Sequence, residues 1–176
     1  EEAYYENWFR GQGYDVVTLE KELFFEGAGD LLGFPDRWFG GYRQRSDIRA
    51  FPHLSERFHR EIIPLELVDS RFYHLDTCFS PLSGGDLLYF PPAFDSYGQT
   101  AIAQRIPKER RISVPEDDAL RFACNAVCVE KHVVLPSGCP TTEHLLQAKG
   151  YVTHSVPLDE FMKSGGSAKC LTLALD

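Results

Sequence analysis

The feature that most constrains the fold of this 176-residue chain is a recurring order of short elements. Two strands close enough to pair are followed by a helix and then by one more strand. Residues 31–34 and 38–41 read as a hairpin turning at Pro35-Asp36, 54–60 as a helix and 62–67 as a strand. The stretch 72–79 reads as a strand or strand edge, 87–90 as another strand ended by Pro91-Pro92, 92–104 as a helix and 112–114 as a short strand. The pattern returns with a hairpin over 125–129 and 133–135 around Glu130-Lys131, and a strand over 151–156. Between them lies a helix over 141–149, capped by Thr141 or Thr142 and stopped by Gly150. The repeat is structural, since no sequence string recurs. Outside it, 3–10 reads as a helix with Tyr4, Tyr5, Trp8 and Phe9 as a buried stripe. Residues 14–19 alternate like a strand, 113–120 opens a helix, and 159–163 is a helical turn. A Gly-rich loop over 164–168 then leads into a last strand over 170–175.

Composition narrows the function classes. Hydrophobic residues make up 43% and charged residues 25%, an ordinary globular balance. No Pro/Gly/Ser linker divides the chain, so residues 1–176 read as a single α/β domain. With 18 Lys+Arg against 26 Asp+Glu, the net charge of −8 repels a phosphate backbone and favours a cationic small molecule. No apolar run approaches the ~18 residues of a membrane span, and no basic-then-apolar leader opens the chain. These readings predict no nucleic-acid or membrane partner. The chain has no initiator Met and reads as a processed product or part of a longer protein. Five irregularly spaced cysteines (78, 124, 128, 139, 170) read as reduced thiols of a cytoplasmic protein, with one left over as a possible nucleophile.

Three stretches interrupt apolar runs with polar residues. In Phe25-Glu26-Gly27-Ala28-Gly29-Asp30 a carboxylate meets a sharp backbone turn; the plain alternative is a solvated Glu in a loop. In Tyr73-His74-Leu75-Asp76-Thr77-Cys78-Phe79, a strand would set His74, Asp76 and Cys78 on one face, able to reach one ligand or simply facing solvent. In Ser164-Gly165-Gly166-Ser167-Ala168-Lys169-Cys170, a Gly-rich loop delivers a Cys whose thiolate backbone N–H groups can stabilise. A buried structural Cys is the commoner outcome. A metal site is not expected. Cys124, Cys128 and His132 are spaced by four, and on a strand the outer two lie about 26 Å apart, too far to share zinc.

Taken in order, these stretches resemble the motifs of the guanidine-modifying pentein superfamily: arginine deiminases, dimethylarginine dimethylaminohydrolases and amidinotransferases. Glu26-Gly27-x-Gly29-Asp30 is similar to its E-G-G-D stretch and Gly41-x-x-x-Arg45-Ser46-Asp47 to its G-x-x-x-R-T-N/D segment. His74-Leu75-Asp76-Thr77 is similar to its H-L-D-T strand and Gly165-Gly166-x-x-x-Cys170-Leu171-Thr172 to its nucleophile loop. Asn125-Ala126-Val127 is a weaker match to the strand before the last module. Ala28 stands where the family has Gly, and Arg43 where it usually has a small residue.

The resemblance implies an α/β propeller of ββαβ modules, here about three of the family's five, with the N-terminal part missing. It also implies hydrolysis of a guanidine or amidine C–N bond in an arginine-like molecule through a covalent Cys thiouronium. The alternatives are amidino transfer to an amine, or a non-catalytic binding pentein. On this reading Cys170 is the nucleophile and His74 the general acid and then base. Glu26 and Asp76 hold the guanidinium, Arg45 pairs with a substrate carboxylate, and Asp30 also contacts substrate. No cofactor or metal is implied; a homo-oligomer is possible.

Overall fold

In the computed structural model, which describes residues 2–175, helix α1 (Glu2–Gly11) is followed by an irregular segment and then by three small sheets. The first sheet holds β1 (Leu31–Phe34) and β2 (Arg37–Tyr42), crosses over through α2 (Ala50–Phe58), and closes on β3 (Ile62–Glu66). β1 and β2 are antiparallel with Leu31 opposite Gly40 and Phe34 opposite Arg37, while β3 runs parallel to β2. The second sheet repeats this with β4 (Phe79–Pro81), β5 (Leu87–Tyr89), α3 (Ser96–Arg105) and β6 (Arg111–Ser113). After the short α4 (Glu116–Leu120), the third uses β7 (Val127–Val129), β8 (His132–Pro136), α5 (Pro140–Ala148) and β9 (Val152–Val156). Three ββαβ modules are therefore present, as expected. α6 (Asp159–Met162) and a 3₁₀ turn at Lys169–Leu171 complete the described chain.

Each helix covers its own sheet. α2 buries Ala50, Phe51 and Leu54, and Gly40 lets the Phe51 ring lie against β2, since a Cβ there would sit 2.6 Å from it. α3 starts at Asp95, whose carboxylate accepts the Gly98 N–H at 2.7 Å. α5 starts over Asp118, whose Oδ2 accepts both the Thr142 N–H (2.7 Å) and its hydroxyl (2.8 Å). Modules one and two join through Phe39, Phe79 and Phe94, with ring centroids 4.9 Å and 6.2 Å apart in succession. The first strands β1, β4 and β7 line a common cavity of about 450 Å³ through Leu32, Phe79 and Val127, and Asp76 and Lys169 line it too.

Several sequence expectations fail for physical reasons. The aromatic stripe of α1 is not buried: Tyr4 is 70% and Tyr5 55% exposed, and the rings pack edge-on against one another and Tyr14. No strand forms over 14–19. Residues 72–78 are not a strand, and β4 begins only at Phe79. The chain folds into a 3₁₀ turn at Leu75–Thr77, so Cys78 is fully buried, with its thiol against the Leu75 carbonyl, rather than sharing a face with His74 and Asp76. The expected last strand finds no partner: Cys170 sits in a 3₁₀ turn, and Leu171 and Leu173 are exposed. α2 begins at Ala50, ahead of expectation, because Pro52 falls in its first turn, where a missing N–H costs nothing.

Candidate active site

The first motif turns before it pairs. Glu26 precedes a 3₁₀ turn at Gly27–Gly29, entered through a left-handed Gly27 (φ 61°), and Asp30 ends it. Ala28 keeps a negative φ, so the loss of a glycine there costs little. Asp30 is fully buried and both its oxygens are used. Oδ2 accepts the Ser46 hydroxyl at 2.6 Å and Oδ1 the Leu75 N–H at 2.9 Å. Ser46 Oγ in turn accepts the Glu26 N–H at 3.0 Å. One carboxylate thus ties the Glu26, Ser46 and His74 stretches together. The sequence reading has Asp30 contacting substrate; in the structure it lies behind Glu26 with both oxygens occupied.

Ahead of it, Glu26 divides its oxygens. Oε1 accepts both Nε and Nη2 of Arg45 at 3.3 Å, and Oε2 lies 3.4 Å from His74 Nε2. The imidazole rests over Gly29, where a Cβ would come within 2.9 Å of Nδ1. Tyr73 lies beside it, ring centroids 4.8 Å apart, and donates its hydroxyl to the Gly165 carbonyl of the cysteine loop. Gly165 itself is left-handed (φ 87°), and a side chain there would strike the Tyr73 hydroxyl. Arg43, the family's small-residue position, has φ 92° and sends its side chain outward to Glu66 at 2.6 Å. A small residue suits that left-handed backbone better.

Asp76 connects this group to the sulfur. Its Oδ2 accepts from Cys170 Sγ at 3.7 Å, while Oδ1 is buried with no partner among the described residues. Burial pushes Asp76 up to about 6, against the pull of His74 and Lys169. Burial and then the Asp76 carboxylate hold the Cys170 thiol above its ordinary value, opposed by the Ser167 backbone and the Asn125 amide. Cys170 is exposed, whereas Cys78, Cys124 and Cys139 are buried, with Cys139 pushed up to about 12. Cys124 packs in the core while His132 is exposed at the far end of the hairpin. Among the described residues no three potential metal ligands converge.

The structure therefore gathers Glu26, Arg45, His74, Asp76 and Cys170 in one linked constellation and leaves Asp30 behind it. Cys170 Sγ meets Asp76 and Asn125, and the hydrogen bonds among the described residues do not join it to His74 directly. Asn125, fully buried at the entry to β7, was not singled out for a role in the sequence. Its signals in the sequence are the weaker motif match of Asn125-Ala126-Val127 and a polar residue inside the apolar run that opens the third module. A buried, partly unpartnered carboxylate beside an accessible thiol, with a second carboxylate spanning an imidazole and a guanidinium, suits a planar cation that must be attacked at carbon.

No protein-family model matches the chain. It is 48% identical over 175 residues to the bifunctional arginine dihydrolase/ornithine cyclodeaminase AgrE of Nostoc sp., covering 98% of this chain and 25% of that protein. It is 38% identical over 171 residues to the N(G),N(G)-dimethylarginine dimethylaminohydrolase of Mycobacterium tuberculosis, covering 97% of this chain and 55% of that enzyme. Among solved structures, the N-terminal domain of cyanobacterial ArgZ covalently bound to a reaction intermediate superposes with a TM-score of 0.97 at 46% identity. That match covers 99% of this chain and 65% of the other. The chain thus spans about a quarter of AgrE and little more than half of the mycobacterial enzyme.

Proposed function

We propose that this chain, a member of the guanidine-modifying pentein superfamily, carries the nucleophile, acid–base pair and cation cradle of a guanidine hydrolase acting on an arginine-like small molecule. The observation that carries this reading is the accessible Cys170 thiol 3.7 Å from a buried Asp76 that keeps one oxygen unpartnered among the described residues. A guanidinium carbon is a weak electrophile because its charge is delocalised. Attack on it needs a thiolate, anions that fix the cation in plane, and an acid for the departing amine.

On this proposal Asp76 Oδ1 and a Glu26 oxygen take guanidinium N–H groups in charge-assisted hydrogen bonds. Cys170 Sγ loses its proton to solvent as the guanidinium binds and attacks the central carbon as a thiolate. The C–N bond breaks as His74 protonates the leaving amine, giving an S-alkylthiouronium. His74, now neutral, takes a proton from water. The resulting hydroxide adds to the same carbon, its remaining proton passes to solvent, and the C–S bond breaks to release a ureido product and the thiolate. Arg45 exchanges its Glu26 partner for a substrate carboxylate, which its planar fork matches. Relatives named as arginine dihydrolase and dimethylarginine dimethylaminohydrolase support this assignment, both being hydrolases of arginine-type guanidines by name. Among the described residues no helix is long and apolar enough to cross a membrane. The five free thiols fit a reducing compartment, and we place the protein in the cytoplasm.

The test is release of ammonia or alkylamine from L-arginine, its N-methylated forms and a guanidine without a carboxylate. Release that disappears in the Cys170→Ser protein supports the reading. Release from none of them, or equal release by the Cys170→Ser protein, overturns it.

A further inference from the structure

We propose that Asn125 is a further catalytic residue, whose side-chain amide holds the Cys170 sulfur in its attacking position and stabilises the thiolate; this rests on the reading of Cys170 as the nucleophile.

The amide uses its whole hydrogen-bonding capacity on the site. One Nδ2 hydrogen goes to Cys170 Sγ at 3.2 Å and the other to the Asp76 carbonyl at 3.2 Å. Oδ1 accepts two backbone N–H groups of the cysteine loop, Ser167 at 3.2 Å and Cys170 at 3.1 Å. A primary amide has two donors and two accepting lone pairs, so nothing is left over. The pattern also fixes which way the amide points. Turned over, its NH₂ would face two N–H donors and its oxygen would face a carbonyl, losing three of the four bonds. The Asn125 carbonyl adds a fifth anchor by accepting the Lys169 N–H at 3.1 Å. The residue is fully buried, so water does not compete for these groups.

Its chemical importance comes from what surrounds the sulfur. The Asp76 carboxylate disfavours a second negative charge 3.7 Å away, yet the reaction needs a thiolate there. Asn125 supplies the side-chain N–H aimed at that sulfur, and a donor to an anion gains strength as the charge forms. Because the same side chain also binds the Asp76 segment and the cysteine loop, it sets the distance between nucleophile and cradle. The third module, which contributes β7 to the cavity, thereby reaches the reacting atom through one amide.

The experiment is the pH dependence of Cys170 alkylation by iodoacetamide, followed by mass on the Cys170 peptide, in the wild type, Asn125→Asp and Asn125→Ala. Iodoacetamide needs no guanidine site, so the readout stands whether or not the substrate assignment is right. Asn125→Asp keeps Oδ1 for the two loop N–H groups but turns a donor on sulfur into an anion. Its alkylation midpoint should rise by about two pH units, and that of Asn125→Ala by about one. Guanidine turnover at neutral pH should fall in parallel, with raised pH restoring part of it in Asn125→Ala. A folded Asn125→Ala protein with the wild-type alkylation profile overturns the proposal even if Asn125→Asp fails to fold. A shifted profile in a protein that turns over no guanidine keeps Asn125 in this role and overturns the substrate reading instead.

Discussion

Asp30 and Asp76 are both buried aspartates, one behind the site and one at its front, and they differ in what their oxygens do. Asp30 has both oxygens bonded, to a hydroxyl and a backbone N–H. Asp76 has one oxygen on a weak sulfur donor and one with no partner among the described residues. Burial raises both carboxyls, but at Asp30 the two hydrogen bonds are the main opposing force. The lesson is that burial alone does not mark a reactive group. A satisfied carboxylate organises a fold, whereas one held short of partners is poised for a cation that the fold does not supply.

Substitutions should separate the two roles. The largest effect is expected at Asp76: Asp76→Ala should lower turnover by roughly 10²- to 10³-fold, because truncation removes a buried anion paired with the cation. At about pH 4, before the buried carboxyl ionises, the same change should shift unfolding free energy by less than about 1 kcal/mol, because little is left unpaired. Asp30→Ala should do the reverse in stability. It strands the Leu75 N–H and the Ser46 hydroxyl in the interior, costing about 2–4 kcal/mol in chemical denaturation. Equal stability losses at the two positions would erase the distinction.

The pH dependence sharpens the same contrast. A carboxyl raised on folding to about 6 binds its proton more tightly in the native state than in the unfolded one. It therefore favours folding below the unfolded value near 4 and loses that contribution as pH rises through about 6. Asp76→Asn should remove this component. Relative to wild type, its unfolding free energy should gain about 1–3 kcal/mol between pH 4 and pH 7. A constant difference across that range would show that Asp76 is ionised without penalty.

Two smaller effects probe the front of the site. Gly29→Ala would push a methyl against the His74 ring, with the Cβ 2.9 Å from Nδ1, and should lower kcat by about 10- to 100-fold with little change in fold. Arg45→Ala should raise KM by about 10-fold for carboxylate-bearing guanidines and leave kcat nearly intact. Those without a carboxylate should be unaffected.

The ββαβ order was legible because hairpins such as 31–42 and 127–136 carry local turn and alternation signals, and α5 carries a stop at Gly150. What misled was alternation without a partner. Residues 170–175 alternate, yet Leu171, Leu173 and Leu175 stay exposed because no strand among the described residues pairs with them. In 72–79, Asp76 and Thr77 are drawn inward by a turn that the apolar periodicity does not encode. The motif residues Glu26, His74 and Cys170 stood out by chemistry and order. Asn125 entered only as a weak motif match without a role, because a neutral amide announces no chemistry until the four groups around it are seen in space.

The central claim is that the Cys170 sulfur forms a bond to the guanidine carbon. Its most direct test is the intact mass of the wild-type protein, acid-quenched during turnover of L-arginine or its methylated forms and mapped by peptide. The account predicts an added amidino-containing group on the Cys170 peptide, absent from the Cys170→Ser variant. Substrate consumed by the wild type with no adduct on that peptide in the quenched proteins, and with Cys170→Ser still active, would contradict it.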